Sequence, residues 1–268
     1  MVHGLRISLV MMLPLALGAC GAAPRHVAGS GAVAAGGTPI ETELKRTVRP
    51  DQIATARKLF ELDDSEAQRV AVSFYDTPAL ELFDSGLVLR SRVAHGDDDD
   101  VTVKLRPLPP SAVAASWFDE DGFKCEEDRS GQESVSSCSL TVSRSAHAIE
   151  AVQHGKSTIA SLFAEDQRRF VRDYAKVQPN WERLEVLGPL DAKSWDFELP
   201  GLEPELSAEL WTLPGGQQML EVSTKVPQSE ADATAVALDE ALAAHGLDTT
   251  GVQETKTRAA LRAFAELR

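Results

Sequence analysis

The chain is short of cysteine, of positive charge and of long apolar runs, and each shortage closes off a class of function. It has 268 residues with three cysteines, at 20, 125 and 138. None stands in Cys-x-x-Cys spacing, so a thiolate zinc site has no framework. Lysine and arginine number 27 against 41 aspartates and glutamates, a formal charge of −14. An acidic surface repels nucleic acid and anionic headgroups, so neither is expected as a partner. A bound polyanion would need its cations gathered in an enclosed basic cavity inside that acidic shell. The apolar run 7–19 is too short to cross a bilayer comfortably. His95, His147 and His154 share no spacing and read as surface residues. There is no internal repeat beyond pairs of strands.

The apolar run follows a single cation, Arg6, and ends in Leu17-Gly18-Ala19-Cys20. This has the form of a signal-peptide core. It resembles a bacterial lipoprotein signal, in which a small-residue cleavage site precedes a cysteine that takes lipid; a plain secretory signal with an incidental cysteine is the alternative. The expected organisation is a signal at 1–19, a lipidated Cys20 with a Gly/Ala tether over 20–37, and a folded domain over 38–268. The expected location is the bacterial cell envelope, with the domain facing periplasm or exterior and touching the membrane through lipid only. Cleavage removes Arg6 and no acid, taking −14 to −15. Cys125 and Cys138 then remain as a pair flanking a Ser130-Gly131-Gln132 turn. A disulfide between them would contribute roughly 2–3 kcal/mol in the chain-entropy account, with two buried thiols as the alternative.

Period-2 alternation marks strands at 40–48, 70–77, 87–94 and 101–107, in the two arms of the Cys hairpin, and in "WERLEVLGPLD", "AKSWDFEL", "LSAELWTL" and "QMLEVSTKV". Apolar residues at helical spacing mark a short helix over 51–62 with Asp51 as N-cap, a mainly helical stretch over 146–176, and two closing helices. "RRFVRD" at 168–173 reads as helix surface, and "DDDD" at 97–100 as a solvated hairpin turn. Eight to nine strands with few helices suit a closed antiparallel barrel or two facing sheets.

Several strands carry one charged face. The first offers Glu41, Glu43 and Lys45; others offer Arg90 and Arg92, Lys104 and Arg106, Lys124 with Glu126 and Asp128, and Glu221 with Lys225. Any one of these alone reads as a solvated face. Turned inward together, carboxylates would hold hard divalent cations and lysines and arginines would hold anionic oxygens.

"ETELK" is the Glu-x-Glu-x-Lys signature of the CYTH, or triphosphate tunnel metalloenzyme, superfamily. The resemblance continues in order through "FYDTP", "LVLRSR", "VTVKLR", "KCEED", "QMLEVSTKVP" and "ETKTRAAL", over roughly residues 38–263. It implies an α+β fold, a closed antiparallel eight-stranded β-barrel with flanking helices. It also implies hydrolysis of inorganic triphosphate or a short polyphosphate with Mg²⁺ or Mn²⁺. Carried over, Glu41, Glu43 and Lys45 would be catalytic. Metal would fall to Glu41, Glu43, Glu126, Asp128 and Glu221, and the polyphosphate to Arg90, Arg92, Lys104, Arg106, Lys124 and Lys193. The sequence departs from the family at Ser223, where a second late-strand acid is expected. That departure sustains an alternative, a non-catalytic anion-binding lipoprotein of the same fold.

Overall fold

The computed structural model describes residues 40–94 and 99–267. The stretch expected to be a signal, Cys20, the expected tether and the first half of the 97–100 run therefore lie outside the described residues. Nine strands close into one barrel: β1 (Glu41–Val48), β2 (Gln68–Asp76), β3 (Leu87–Ala94), β4 (Asp100–Leu105), β5 (Phe123–Ser130), β6 (Glu133–Ser143), β7 (Glu185–Phe197), β8 (Leu206–Thr212) and β9 (Gln218–Pro227). Their order around the wall is β1-β5-β6-β4-β3-β2-β7-β8-β9. The helices are α1 (Ile53–Leu59), α2 (Glu81–Ser85), α3 (Ala146–Gln153), α4 (Glu165–Tyr174), α5 (Ala231–Ala244) and α6 (Lys256–Glu266).

Two expectations are corrected. The barrel has nine strands rather than eight, and it is mixed rather than antiparallel throughout. β1 closes the wall by running antiparallel to β9 and parallel to β5. A parallel pair needs a long crossover, and here the chain from α1 through β4 supplies it.

A smaller correction concerns 181–199, where two strands were expected. Residues 185–197 form one strand, β7, and only a short 3-10 turn precedes it. Gly188 lets this strand bend against a register shift in β2. Its φ is +144°, and a Cβ there would come 2.9 Å from both Val72 O and Ser73 Cα, so only glycine permits the approach. Asp51 does not cap α1; it sits in a 3-10 turn and binds Arg49 at 3.1 Å. In the acidic run, Asp99 accepts from the backbone N–H of Ala94 and of Ala146. Asp100 is buried. This half of the run therefore ties β3, β4 and α3 together.

The strand period sorts side chains into two sets. Leu44, Leu206, Leu210, Leu220 and Val222 face outward and pack against Ile53 and Ala56 of α1 and Leu238 and Leu242 of α5. Leu87, Leu89, Val101, Val103 and Leu140 pack against Ile149 of α3 and Phe170 of α4. Removing each such side chain from water contributes about 1.5–3 kcal/mol. With the outer face spent on helix packing, the alternate residues must face the lumen.

The lumen itself is divided. Val72, Phe74, Val88, Trp211 and Met219 pack with Ala260 and Leu261 of α6, which closes off this apolar part. The remainder is polar. Cys125 and Cys138, direct partners in the β5–β6 register, carry a disulfide with Cα atoms 4.0 Å apart. Both belong to the outer face, since their neighbours Lys124 and Glu126 alternate into the lumen.

Candidate active site

The parallel pairing of β1 and β5 builds the acidic part of the site. It sets Glu41 beside Glu126 and Glu43 beside Asp128. Two acid-bearing strands thus run side by side, an arrangement that would be repulsive without cations between them. Those cations are present. Lys45 Nζ lies 2.5 Å from Asp128 Oδ1 and 3.0 Å from Glu43 Oε2. Lys104 Nζ lies 2.8 Å from both Glu126 Oε1 and Asp128 Oδ2. Lys124 binds Glu126 Oε2 at 2.9 Å, and the Ser137 hydroxyl donates to Asp128 Oδ2. Glu43, Glu126 and Asp128 each offer an oxygen within 4.8 Å of the others.

Ionisation follows these contacts. Burial alone would raise the carboxyl of Glu126, but Lys104 and Lys124 prevail and hold it at about 2. Burial likewise opposes ionisation of Asp128, and Lys104, Lys45 and Arg106 carry it well below the usual carboxylate range. For Lys45, burial is outweighed by Glu43 and Asp128, so its proton is held more tightly than usual. For Lys104, burial, with Arg106 and Lys45 nearby, outweighs Asp128 and Glu126, and the affinity for its proton falls.

The basic part is less well compensated. Among the described residues Arg90 donates to Thr102 Oγ1, at 3.5 Å, and its Nε is buried without an acceptor. Burial and the neighbouring Arg92 push its guanidinium down to about 10. Arg106 has one long contact, 3.9 Å to Asp128 Oδ2, and its Nε is also buried and unpaired. Arg92 is half-exposed and held by Asp100, its direct partner in the β3–β4 register.

These groups surround a cavity of about 310 Å³. Its walls carry Lys45, Arg90, Arg92, Lys104, Arg106, Lys124, Lys193, Lys225 and Lys256 against Glu43, Glu126 and Glu209. A chain of net charge −14 therefore encloses a chamber in which cations outnumber acids. That is the arrangement polyanion binding requires here.

Two of the expected site residues are not in this constellation. Glu41 is exposed at the start of β1 and is not part of the three-carboxylate group. Glu221 belongs to a second group with Glu209 and Lys256. Lys193 lines the cavity on β7, and its ammonium binds Asp64 at 2.8 Å. Ser223 sits opposite Lys45 and Ser207, with no carboxylate at that position.

Sequence reading passed over Glu209, Trp211 and Lys256. Trp211 Nε1 donates to Glu209, and Lys256 binds both Glu209 and Glu221. Glu209 was signalled by the alternation Ser207, Glu209, Trp211 within "LSAELWTL". Lys256 stood within the quoted "ETKTRAAL", but strand alternation could not mark it, because it enters the lumen from the first turn of a helix.

No family model matches the sequence, and no curated protein matches it. Solved structures do. One is a Bacillus halodurans protein provisionally named an adenylate cyclase, 13% identical, with a TM-score of 0.56 over 82% of this chain and 97% of that one. Another is HpAC1 of Hippeastrum, provisionally named an adenylyl cyclase and described as having a dominant triphosphatase activity. It is 14% identical, with a TM-score of 0.56 over 82% of this chain and 94% of that one. The likeness is one of fold, and it supports a closed β-barrel with flanking helices.

Proposed function

We propose that the chain is a divalent-metal-dependent hydrolase of inorganic triphosphate or a short polyphosphate, acting inside the barrel and tethered to the bacterial envelope through lipid on Cys20. The observation that carries this reading is the pair of buried, acceptor-free guanidinium nitrogens on Arg90 and Arg106. Burying a donor without an acceptor is costly. A phosphate chain in the cavity would satisfy both, and planar guanidinium groups suit phosphate oxygens.

In this reading Arg90, Arg92, Lys104, Arg106 and Lys124 orient the phosphate chain. Glu43, Glu126 and Asp128 would hold Mg²⁺ or Mn²⁺, and their oxygens converge closely enough for one hard cation. Such an ion supplies charge neutralisation at the phosphoryl group and a more acidic water. Lys45 and Lys104, which neutralise these acids in the absence of an ion, are then free to turn toward phosphate oxygens. The exposed Glu41 stands at the strand's outer end, where it can meet an arriving hydrated ion.

Ser223 supports a second reading, a non-catalytic module that binds an anionic ligand at the same place. Phosphate release from inorganic triphosphate with Mg²⁺ or Mn²⁺, measured beside binding of triphosphate, separates the two. Release by the wild type and its loss in Glu43→Gln support the hydrolase. Binding without release supports the module, and absence of binding removes both.

A further inference from the structure

The first residue of α6 is placed inside the barrel. Thr255 caps the helix by accepting from the backbone N–H of Arg258, and Ala260 and Leu261 are buried in the apolar part of the lumen. This fixes Lys256 so that its Nζ lies 2.9 Å from Glu209 Oε2 and 2.9 Å from Glu221 Oε1. The two glutamates are direct partners in the β8–β9 register. Like charges set opposite one another repel, so the pair requires a cation. The positive end of the helix adds to the effect of the ammonium. Trp211 completes the setting, with its Nε1 donating to Glu209 Oε2 at 2.9 Å and its ring 5.6 Å from the ammonium.

The contact to Glu221 has a further property. Glu221 is 2% exposed, so its charge is buried, and the ammonium 2.9 Å from its Oε1 is held there by the start of a helix. A divalent ion, which needs oxygens and tolerates varied angles, would meet the same two carboxylates.

We propose that Lys256 is a built-in counter-cation for the Glu209–Glu221 pair, occupying the place of a divalent ion and confining metal binding in the lumen to the Glu43, Glu126 and Asp128 group. The inference rests on the lumen being an ion-binding chamber, as the proposed function requires, but not on hydrolysis. Ser223, two residues beyond Glu221, is consistent with it, because a pair already neutralised by lysine has no need of another acid.

The test is Mn²⁺ binding to the full chain, followed by electron paramagnetic resonance for number and affinity, with melting temperature recorded in chelator and in Mn²⁺. Lys256→Met should bind one Mn²⁺ more than the wild type, or bind its weakest ion at least about tenfold tighter, the scale of a typical coupling between sites. It should melt lower than the wild type in chelator and recover in Mn²⁺. The added site should vanish in Lys256→Met/Glu221→Gln. Glu221→Gln alone keeps the test decisive if Lys256→Met does not fold: it should leave the wild-type Mn²⁺ number unchanged. The inference is overturned if Glu221→Gln alone removes a bound ion, or if Lys256→Met binds Mn²⁺ as the wild type does. Failure of triphosphate hydrolysis would leave these Mn²⁺ outcomes unaltered, so the two proposals fail separately.

Discussion

Replacing Asp128 by asparagine tests how much of the barrel's stability depends on its charged lumen. Asp128 is 3% exposed and is shared by Lys45 at 2.5 Å, Lys104 at 2.8 Å and the Ser137 hydroxyl at 2.9 Å. Asparagine keeps the shape and removes the charge. Breaking a buried ion pair by losing one partner costs about 3–5 kcal/mol. Lys45 retains Glu43 and Lys104 retains Glu126, so the lower end applies. For a domain of this size roughly 3 kcal/mol corresponds to about 6–12 °C in melting temperature. Differential scanning fluorimetry at neutral pH reads this directly. The variant lumen is also more positive by one charge, so inorganic triphosphate should raise the variant's melting temperature by more than the wild type's. The pH dependence follows from the sign of the shift. The carboxyl of Asp128 is lowered in the fold, so its stabilisation is present above the ordinary carboxylate range and declines as pH falls below about 4. The gap between wild type and variant should therefore narrow in acid. A variant that melts with the wild type at neutral pH would refute the reasoning, since it would mean that water already screens these pairs.

Arg90→Met should leave the melting temperature unchanged or raise it, because a buried cation without a good acceptor is removed. The same change should weaken triphosphate binding by roughly 10- to 100-fold, the worth of a charge-assisted hydrogen bond; calorimetric titration of both proteins checks the pair of outcomes. Glu126 and Glu209 are held at about 2, below the ordinary 4.5. Lowered acids stabilise the fold above their unfolded values, so the melting temperature should be level down to about pH 4.5 and fall steadily toward pH 2. A flat profile across that window would contradict the ion-paired lumen.

The strands were legible because most have an apolar face that helices cover, and several carry a charged face that the lumen takes. Leu44 alternating with Glu43 and Lys45 is enough to give both the strand and its parity. Strand number and the parallel β1–β5 ladder were not readable. Period 2 reports that a residue faces in or out, and says nothing about which strand lies beside it. Glu43, Glu126 and Asp128 were all named from the sequence, but that Glu43 and Asp128 are neighbours follows only from that ladder. Lys256 was invisible for a related reason. Its role comes from where α6 begins in space, and a helix start carries no record of the strand pair it will face.

Closing the wall through β1 also fixes when the barrel can exist. β1 is the first strand made and β9 the last, and the two are joined along eight registered pairs from Glu41–Pro227 to Val48–Leu220. Until β9 pairs with it, β1 has an open edge and the wall cannot close into a tube. Pairing across so long a stretch of chain is slow relative to local hairpins. A chain in which β9 has not yet paired therefore carries unpaired ladder groups on β1, a form open to chaperones and to aggregation. Truncation anywhere before residue 218 would make that passing state permanent.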